Sequence, residues 1–335
     1  MNRRPKILVA GIFVMDLIAS TRDVPNSGET VLGLRMQTIP GGKGANQAVQ
    51  AARLGADVTM VGRVGDDIFG RTVVNAVAEA GVNVSHVTVD PDEPTGASSI
   101  TLEVTETSAN NRIIVCPGAN HTITLDQLAW LKDEISNYDM VLLQFELKMF
   151  INEAIAAWAH EAGVPVMVNP APAAPISDSL LRCTTYLSPN EHEAAAIAGH
   201  PLRAEKGGIN DSDLCTVTEF FRSKGVDKLI ITLGENGSVA SGKDGIVRVG
   251  SVSMPHVADT TAAGDSFVAS FCTGVCAGLS EQQALTFASH SAAITVSRMG
   301  AIPSLPTMDE VIALMRERRI TDFDYEKISV LGGAQ

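Results

Sequence analysis

The chain has 335 residues, 45% of them apolar, with 25 Lys+Arg against 38 Asp+Glu and a net charge of −13. That length suits one large α/β domain with a small appendage, and the apolar share excludes a disordered chain. The negative field opposes contact with nucleic acid or a membrane surface, so neither is expected as a partner, and an anionic substrate must be met by local amides or bound metal.

Residues 1–10 carry only a short apolar stretch, Ile7 to Ala10, and read as a first strand over 6–10 rather than a signal peptide. An extended polar segment follows at 16–38, then a helix over 44–54, a strand over 58–61 and a helix over 69–80. A second extended segment, 95–115, alternates as Ser99-Ile100-Thr101-Leu102-Glu103-Val104 before the turn-like Ser108-Ala109-Asn110-Asn111. Its period of two implies a half-exposed sheet, open to reading as a lid, a dimer surface or an edge hairpin. A strand over 140–143, a helix over 150–162, and strands over 165–168 and 185–187 restore the βαβ rhythm. A helix over 191–198, a polar connection over 199–212, a helix over 213–223 and a strand over 228–232 continue it. A hairpin joins 238–240 to 246–249 through Gly242-Lys243-Asp244-Gly245, and helices over 263–277, 281–297 and 308–317 close the domain. Residues 1–317 are thus expected to form one domain with lid segments at about 16–38 and 95–115, and 318–335 a peripheral tail. Several strands are continuous apolar runs, as in a parallel sheet covered on both faces, so ligands belong at the strands' carboxyl ends.

The five cysteines, Cys116, Cys183, Cys215, Cys272 and Cys276, are odd in number and scattered. They suit a reducing compartment, and a cytoplasmic location is expected. Cys272 and Cys276 share a helix face but lack further ligands at metal spacing, which favours buried structural thiols.

The run Ala258-Asp259-Thr260-Thr261-Ala262-Ala263-Gly264-Asp265-Ser266-Phe267 carries the most chemistry. Its small residues let a ligand approach the backbone, and a helix starting there offers free amides and a positive dipole to an anion. Asp265 in that first turn would meet a hydroxyl attacking the anion; the competing reading is an ordinary capped helix. Asn190-Glu191-His192-Glu193 after a strand reads equally as a capping box.

Two distant stretches resemble the paired signatures of the PfkB-type carbohydrate kinases. They are Pro40-Gly41-Gly42-Lys43-Gly44-Ala45-Asn46-Gln47-Ala48 with Gly62-Arg63-Val64-Gly65-Asp66-Asp67-Ile68-Phe69-Gly70, and the run from Val257 to Phe267. The resemblance extends from about Ile7 to Pro306. It implies a doubly wound α/β/α domain with a small β-sheet lid, a homodimer contact through that lid, and ATP-dependent phosphorylation of the primary hydroxyl of a small sugar. D-ribose, giving ribose 5-phosphate, is the first expectation; deoxyribose, a fructose-type sugar or pseudouridine are alternatives, and a non-catalytic sugar-binding regulator is the reading of a different class.

The same resemblance assigns roles position by position. Asp265 matches the catalytic base, and the amides of Ala262, Ala263 and Gly264 match an anion hole. Asp16, Gly41, Gly42, Lys43, Asn46 and Glu146 match sugar contacts; without the resemblance, Lys43 and Asn46 read as solvated first-turn residues. Asn190 and Glu193 match a motif that organises hydrated Mg2+ and the phosphates. Thr232, Gly234 and Gly237 match the nucleotide loop, with Ser289 near the adenine and His290 as easily on the surface. Asp259, Thr261, Gly300 and Ser304 match ligands of an activating K+ ion. One departure concerns the acceptor: in Gly11-Ile12-Phe13-Val14-Met15-Asp16, the pentose kinases of the family commonly have Asn where Val14 stands. Val14 removes an amide contact to the sugar, while Asn46 and Glu146 keep the pentose pattern. A P-loop is excluded because no Gly-x4-Gly-Lys-Ser/Thr run occurs, and Gly11 stands alone where a Rossmann fingerprint would begin.

Overall fold

The structure, a computed structural model, describes residues 3–104, 109–205 and 208–332. It opens with β1 (Lys6–Ala10), β2 (Val14–Thr21), β3 (Arg35–Gly41), α1 (Lys43–Arg53), β4 (Asp57–Gly65), α2 (Ile68–Glu79) and β5 (Val87–Asp90). Next come β6 (Gly96–Val104), β7 (Ala109–Cys116), α3 (Leu131–Glu134), β8 (Met140–Gln144), α4 (Met149–Glu161) and β9 (Val166–Asn169). The middle continues through α5 (Asp178–Arg182), β10 (Tyr186–Leu187), α6 (Glu191–Ala198), β11 (Ala204–Glu205), β12 (Gly208–Ile209) and α7 (Asp211–Ser223). It ends with β13 (Lys228–Thr232), β14 (Ser238–Gly242), β15 (Gly245–Val249), α8 (Ala263–Cys276), α9 (Glu281–Val296), α10 (Met308–Glu317) and α11 (Tyr325–Gly332).

Nine strands form the central sheet in the order β15-β14-β13-β10-β9-β8-β1-β4-β5. From β5 to β13 every pairing is parallel, and β14 and β15 add an antiparallel edge. The apolar runs explain the layers. Along β1, Ile7 and Val9 enter a core under α1, α8, α9 and α10, while Leu8 and Ala10 enter the opposite core under α4 and α7. The residues of β8 split the same way, Met140 and Leu142 to one side, Val141 and Leu143 to the other. Period-two alternation thus fills both faces, as a strand buried on both sides requires. The order reverses at β1, which lies between β4 and β8, and a crevice opens beyond the strand ends at such a switch point.

The two extended segments form a separate four-stranded sheet, β3-β2-β6-β7, with β2 and β6 parallel and the outer pairs antiparallel. The turn expected at Ser108 lies outside the described residues. The connection over 199–212 is a short hairpin fastened to the first turn of α7, where Arg203 makes a two-pronged contact with Asp213 at 2.7 Å on each prong.

The tail after Arg318, expected to be peripheral, is not: Phe323, Ile328 and Leu331 are buried in the larger core. The backbone of Leu331 lies so near Gly55, just past α1, that a Cβ there would sit 2.3 Å from its carbonyl oxygen. Ile320 and Tyr325 pack there as well, partly buried, but the apolar positions are scattered through a mixed stretch and do not show as helical periodicity. The short elements β5, α3 and α5 escape prediction for the same reason.

Candidate active site

The first turn of α8 lacks a side-chain cap. Its N-cap residue, Ala262, takes a left-handed conformation with φ 62° and ψ 6°, rare for a residue with a Cβ. Ser266 N donates to Ala262 O at 2.8 Å to start the helix, and Ala263 N turns back to Thr260 O at 3.3 Å. The ordinary capped-helix reading therefore fails at 258–265. Asp265 lies inside the turn, 5% exposed, and Asp259 is occupied elsewhere.

Opposite this turn stands α1. Gly42 precedes it with φ 103°, and a side chain there would also press within 2.6 Å of Ile12 O. A Cβ on Gly41 would come within 2.8 Å of Asp16 Oδ2, so the glycine pair lets the lid strand carrying Asp16 close against the helix start. Lys43 N donates to Glu146 Oε2 at 2.8 Å. Asn46 Nδ2 donates to Asp265 Oδ2 at 2.9 Å, and Gln47 Nε2 to Asp265 Oδ1 at 3.1 Å. Asn46 is thus a buried partner of Asp265 and not a solvated first-turn residue; its Oδ1 is buried without a protein partner.

This pocket gathers charge in a dry place. Burial pushes the Glu146 carboxyl up to about 7, against the Lys43 ammonium, which draws it down. Burial also raises Asp16, opposed by the hydroxyl of Ser98, which donates to its Oδ1. Asp265 raises Lys43, outweighing its burial, with Glu146 adding to the effect. Three carboxylates and an ammonium therefore share a pocket with an unpartnered amide oxygen, a set that can meet hydroxyls as both donor and acceptor.

The nucleotide candidates lie at the ends of β10 and β13. Asn190 accepts from Glu193 N, and Glu193 Oε2 accepts from Asn190 N, each at 2.8 Å, so the capping box is real. Asn190 also bridges to Thr232 in parallel register, which brings the two expected phosphate loops together. Gly234 takes φ 54°; Gly237 serves the turn itself, since a Cβ there would lie 2.1 Å from Val249 O. Ser289 is nearly buried on α9, and His290 is buried rather than on the surface, its Nδ1 2.7 Å from Thr286 O. Burial lowers the pKa of His290.

Asp259 joins two of the expected cation-site partners. Its Oδ1 accepts from Thr261 N at 2.9 Å and Thr261 Oγ1 at 2.7 Å, and its Oδ2 accepts from Gly300 N at 3.0 Å. Ser304 is fully buried on the same turn, with its hydroxyl donated to Ala301 O at 2.7 Å. Both oxygens of Asp259 are thus engaged by protein donors, so a cation here would have to share or displace the contacts to Thr261 and Gly300. Behind it, Arg53 Nη1 donates to Ile302 O and Leu305 O at 2.9 and 2.5 Å, bracing the turn from the end of α1.

The contacts thus bring the expected residues together in three groups: Lys43, Asn46, Glu146 and Asp265 with the lid strand of Asp16; Asn190 and Glu193 with Thr232; and Asp259 with Thr261 and Gly300. Sequence reasoning missed the amides that hold them: Gln47, Gln144 and Asn169 around Asp265, and Asn120, which accepts from Phe13 N at 3.0 Å and donates to Phe13 O at 2.8 Å. The available signal is a polar residue at the end of an apolar strand, as at Gln144 and Asn169.

Known proteins resemble this chain over most of its length. The pfkB family carbohydrate kinases match residues 4–308. The ribokinase of Bacillus subtilis is 37% identical over 310 residues, covering 92% of this chain and 99% of the relative. That of Schizosaccharomyces pombe is 38% identical over 315 residues, covering 91% and 96%. The solved structure of Arabidopsis thaliana ribokinase complexed with ribose and ATP superposes with a TM-score of 0.85 at 31% identity, covering 94% of this chain and 99% of that one.

Proposed function

As the chain belongs to the pfkB family of carbohydrate kinases, we propose that it transfers the γ-phosphoryl group of ATP to the primary hydroxyl of D-ribose, yielding ribose 5-phosphate and ADP. The observation that carries this reading is Asp265, held by Asn46 and Gln47 of α1 in the first turn of α8. The carboxylate accepts the proton of the acceptor hydroxyl as its oxygen attacks the γ-phosphorus. The uncapped first turn of α8, with Ala262, Ala263 and Gly264, faces the charge spreading over the transferred oxygens. Asp16, Gly41, Gly42, Lys43, Asn46 and Glu146 orient the sugar. Thr232, Gly234, Gly237 and Ser289 bind the nucleotide.

Asn190 and Glu193 would hold Mg2+ through its waters, and the ion would screen phosphate charge when bound; Glu193 keeps Oε1 for this role while Oε2 caps its helix. Asp259, Thr261, Gly300 and Ser304 would hold K+, which would fix the turn behind the anion hole. The lid leaves Met36 and Ile114 more than half exposed on one face and Ile113 and Val115 on the other, an apolar edge suited to a second copy of the chain. The free state of all five cysteines supports a cytoplasmic setting.

Val14 favours a second reading. It lies on the same strand face as Asp16, apolar and buried, and offers no hydrogen bond there. An acceptor lacking one hydroxyl, such as 2-deoxyribose, loses less at this site than at one with Asn. ADP release measured against D-ribose, 2-deoxyribose, fructose, adenosine and pseudouridine, with and without KCl, tests both. Turnover with ribose supports the first reading, preference for another member moves the acceptor, and silence throughout defeats the kinase assignment.

A further inference from the structure

Asp265 meets a side-chain amide on each carboxylate oxygen, and the two amides are not equivalent. Asn46 keeps a buried, unpartnered Oδ1. Gln47 is fully buried, and both ends of its amide are engaged. Gln144 Nε2 donates to Gln47 Oε1 at 2.7 Å, while Gln47 Nε2 reaches Asp265 Oδ1 at 3.1 Å and Asn169 Oδ1 at 3.3 Å. Of the outer members, the Asn169 side chain is held by its Nδ2 donating to Ser188 O at 2.8 Å. Gln144 is held through its backbone, whose carbonyl accepts from Asn152 Nδ2 at 2.7 Å, and its Oε1 is buried without a partner. The ends of β8, β9 and β10 thereby reach the reacting carboxylate through one side chain.

The direction of this chain is forced. A primary amide has an accepting oxygen and a donating NH2. Because the Asp265 carboxylate accepts, Gln47 must turn its NH2 toward it and its oxygen toward the NH2 of Gln144. The flipped orientation would set two NH2 groups together and press an amide oxygen on a carboxylate, a costly error in a site closed to water.

We infer that Gln47 is a positioning residue that fixes the plane of the Asp265 carboxylate for the incoming hydroxyl. The inference rests on the reading of Asp265 as the base. Gln47 touches neither the acceptor nor the nucleotide in this role, so its loss acts on turnover more than on acceptor binding.

Steady-state kinetics of Gln47→Leu and Gln47→Glu with MgATP and the preferred acceptor of the panel test it. Gln47→Leu should lower kcat about tenfold or more while the acceptor KM moves less than about threefold. Gln47→Glu should be weak at high pH, where the introduced carboxylate repels Asp265, and recover toward low pH, where the neutral carboxyl donates the same bond. A merely structural role would give a profile parallel to that of the wild type. A kcat for Gln47→Leu within about twofold of wild type, or a parallel profile for Gln47→Glu, overturns the inference. Should Gln47→Leu fail to fold in a melting scan, Gln47→Met, which keeps the length without the amide, takes its place. Asp265→Asn measured alongside separates the two levels. Retained turnover there defeats the base assignment itself, whereas its loss beside an unaffected Gln47→Leu defeats only the positioning role.

Discussion

The starts of α6, α9 and α10 are each closed by a reciprocal capping box, Asn190 with Glu193, Ser280 with Gln283 and Thr307 with Glu310. The start of α8 is closed by none, and its N-cap is an alanine in a left-handed turn. A capped helix start satisfies its own amides, adding about 1 kcal/mol of stability. An open one keeps its dipole and amides for something outside the protein. The starts of α1 and α4 lack a side-chain cap as well, so it is the left-handed alanine turn and the buried Asp265 that set α8 apart. Under the proposed function its start meets the phosphoryl group, while the α6 box uses only Oε2 of Glu193.

Four measurements sharpen or break that contrast. Asp265→Asn should lower kcat about a thousandfold while the melting temperature and ATP affinity stay near wild type; near-normal turnover would mean that the open turn of α8 is not the reacting centre. Glu146 gives the next effect, on stability against pH. Its folded carboxyl holds a proton up to about 7, whereas the unfolded chain releases it near 4.5. Folding therefore takes up a proton between those values, and the protein without ligand should lose stability as pH rises through them, by about 3 kcal/mol at most. Glu146→Gln should flatten that slope, and an unchanged slope would assign it to another group. Asp259→Ala should raise the KCl concentration for half-activation about tenfold, and also that for half of any KCl-induced melting shift over choline chloride. An unaltered response removes Asp259 from the cation site. The smallest effects separate the two kinds of box. Ser280→Ala and Asn190→Ala should each cost about 1 kcal/mol in denaturant unfolding, but only Asn190→Ala should also raise the KM for MgATP; equal kinetics would reduce α6 to a cap.

Much of this architecture is legible in the amino-acid sequence. The helices over 191–198 and 308–317 agree with expectation to the residue, and the strands at β1 and β13 do as well, because each is a strongly periodic or continuous apolar segment with clear end signals. The lid is visible as two extended polar segments, the second of them alternating, though only the folded chain pairs β2 with β6. At the site, the glycine motif and the run around Asp265 mark both walls of the crevice. Gln47 and Gln144 lie close to those signals but do not stand out, since a glutamine has no titration or ligand chemistry to single it out. Their role depends on direction, which amide end faces which partner, and that exists only once distant elements meet. The tail is illegible because its three buried contacts are spread through a mixed stretch.

The seating of Leu331 against the residue after α1 bears on how the chain is made. Residues 6–53 contain the first strand, much of the lid and the helix that grips Asp265, and they are made before the residues that cover them. The core behind that helix is completed by Phe323, Ile328 and Leu331, far later in the chain. During translation α1 must wait with an apolar flank uncovered, a surface open to aggregation or to a chaperone. Activity should therefore emerge only once residues 323–331 are free to reach the core, however early the glycine motif is made.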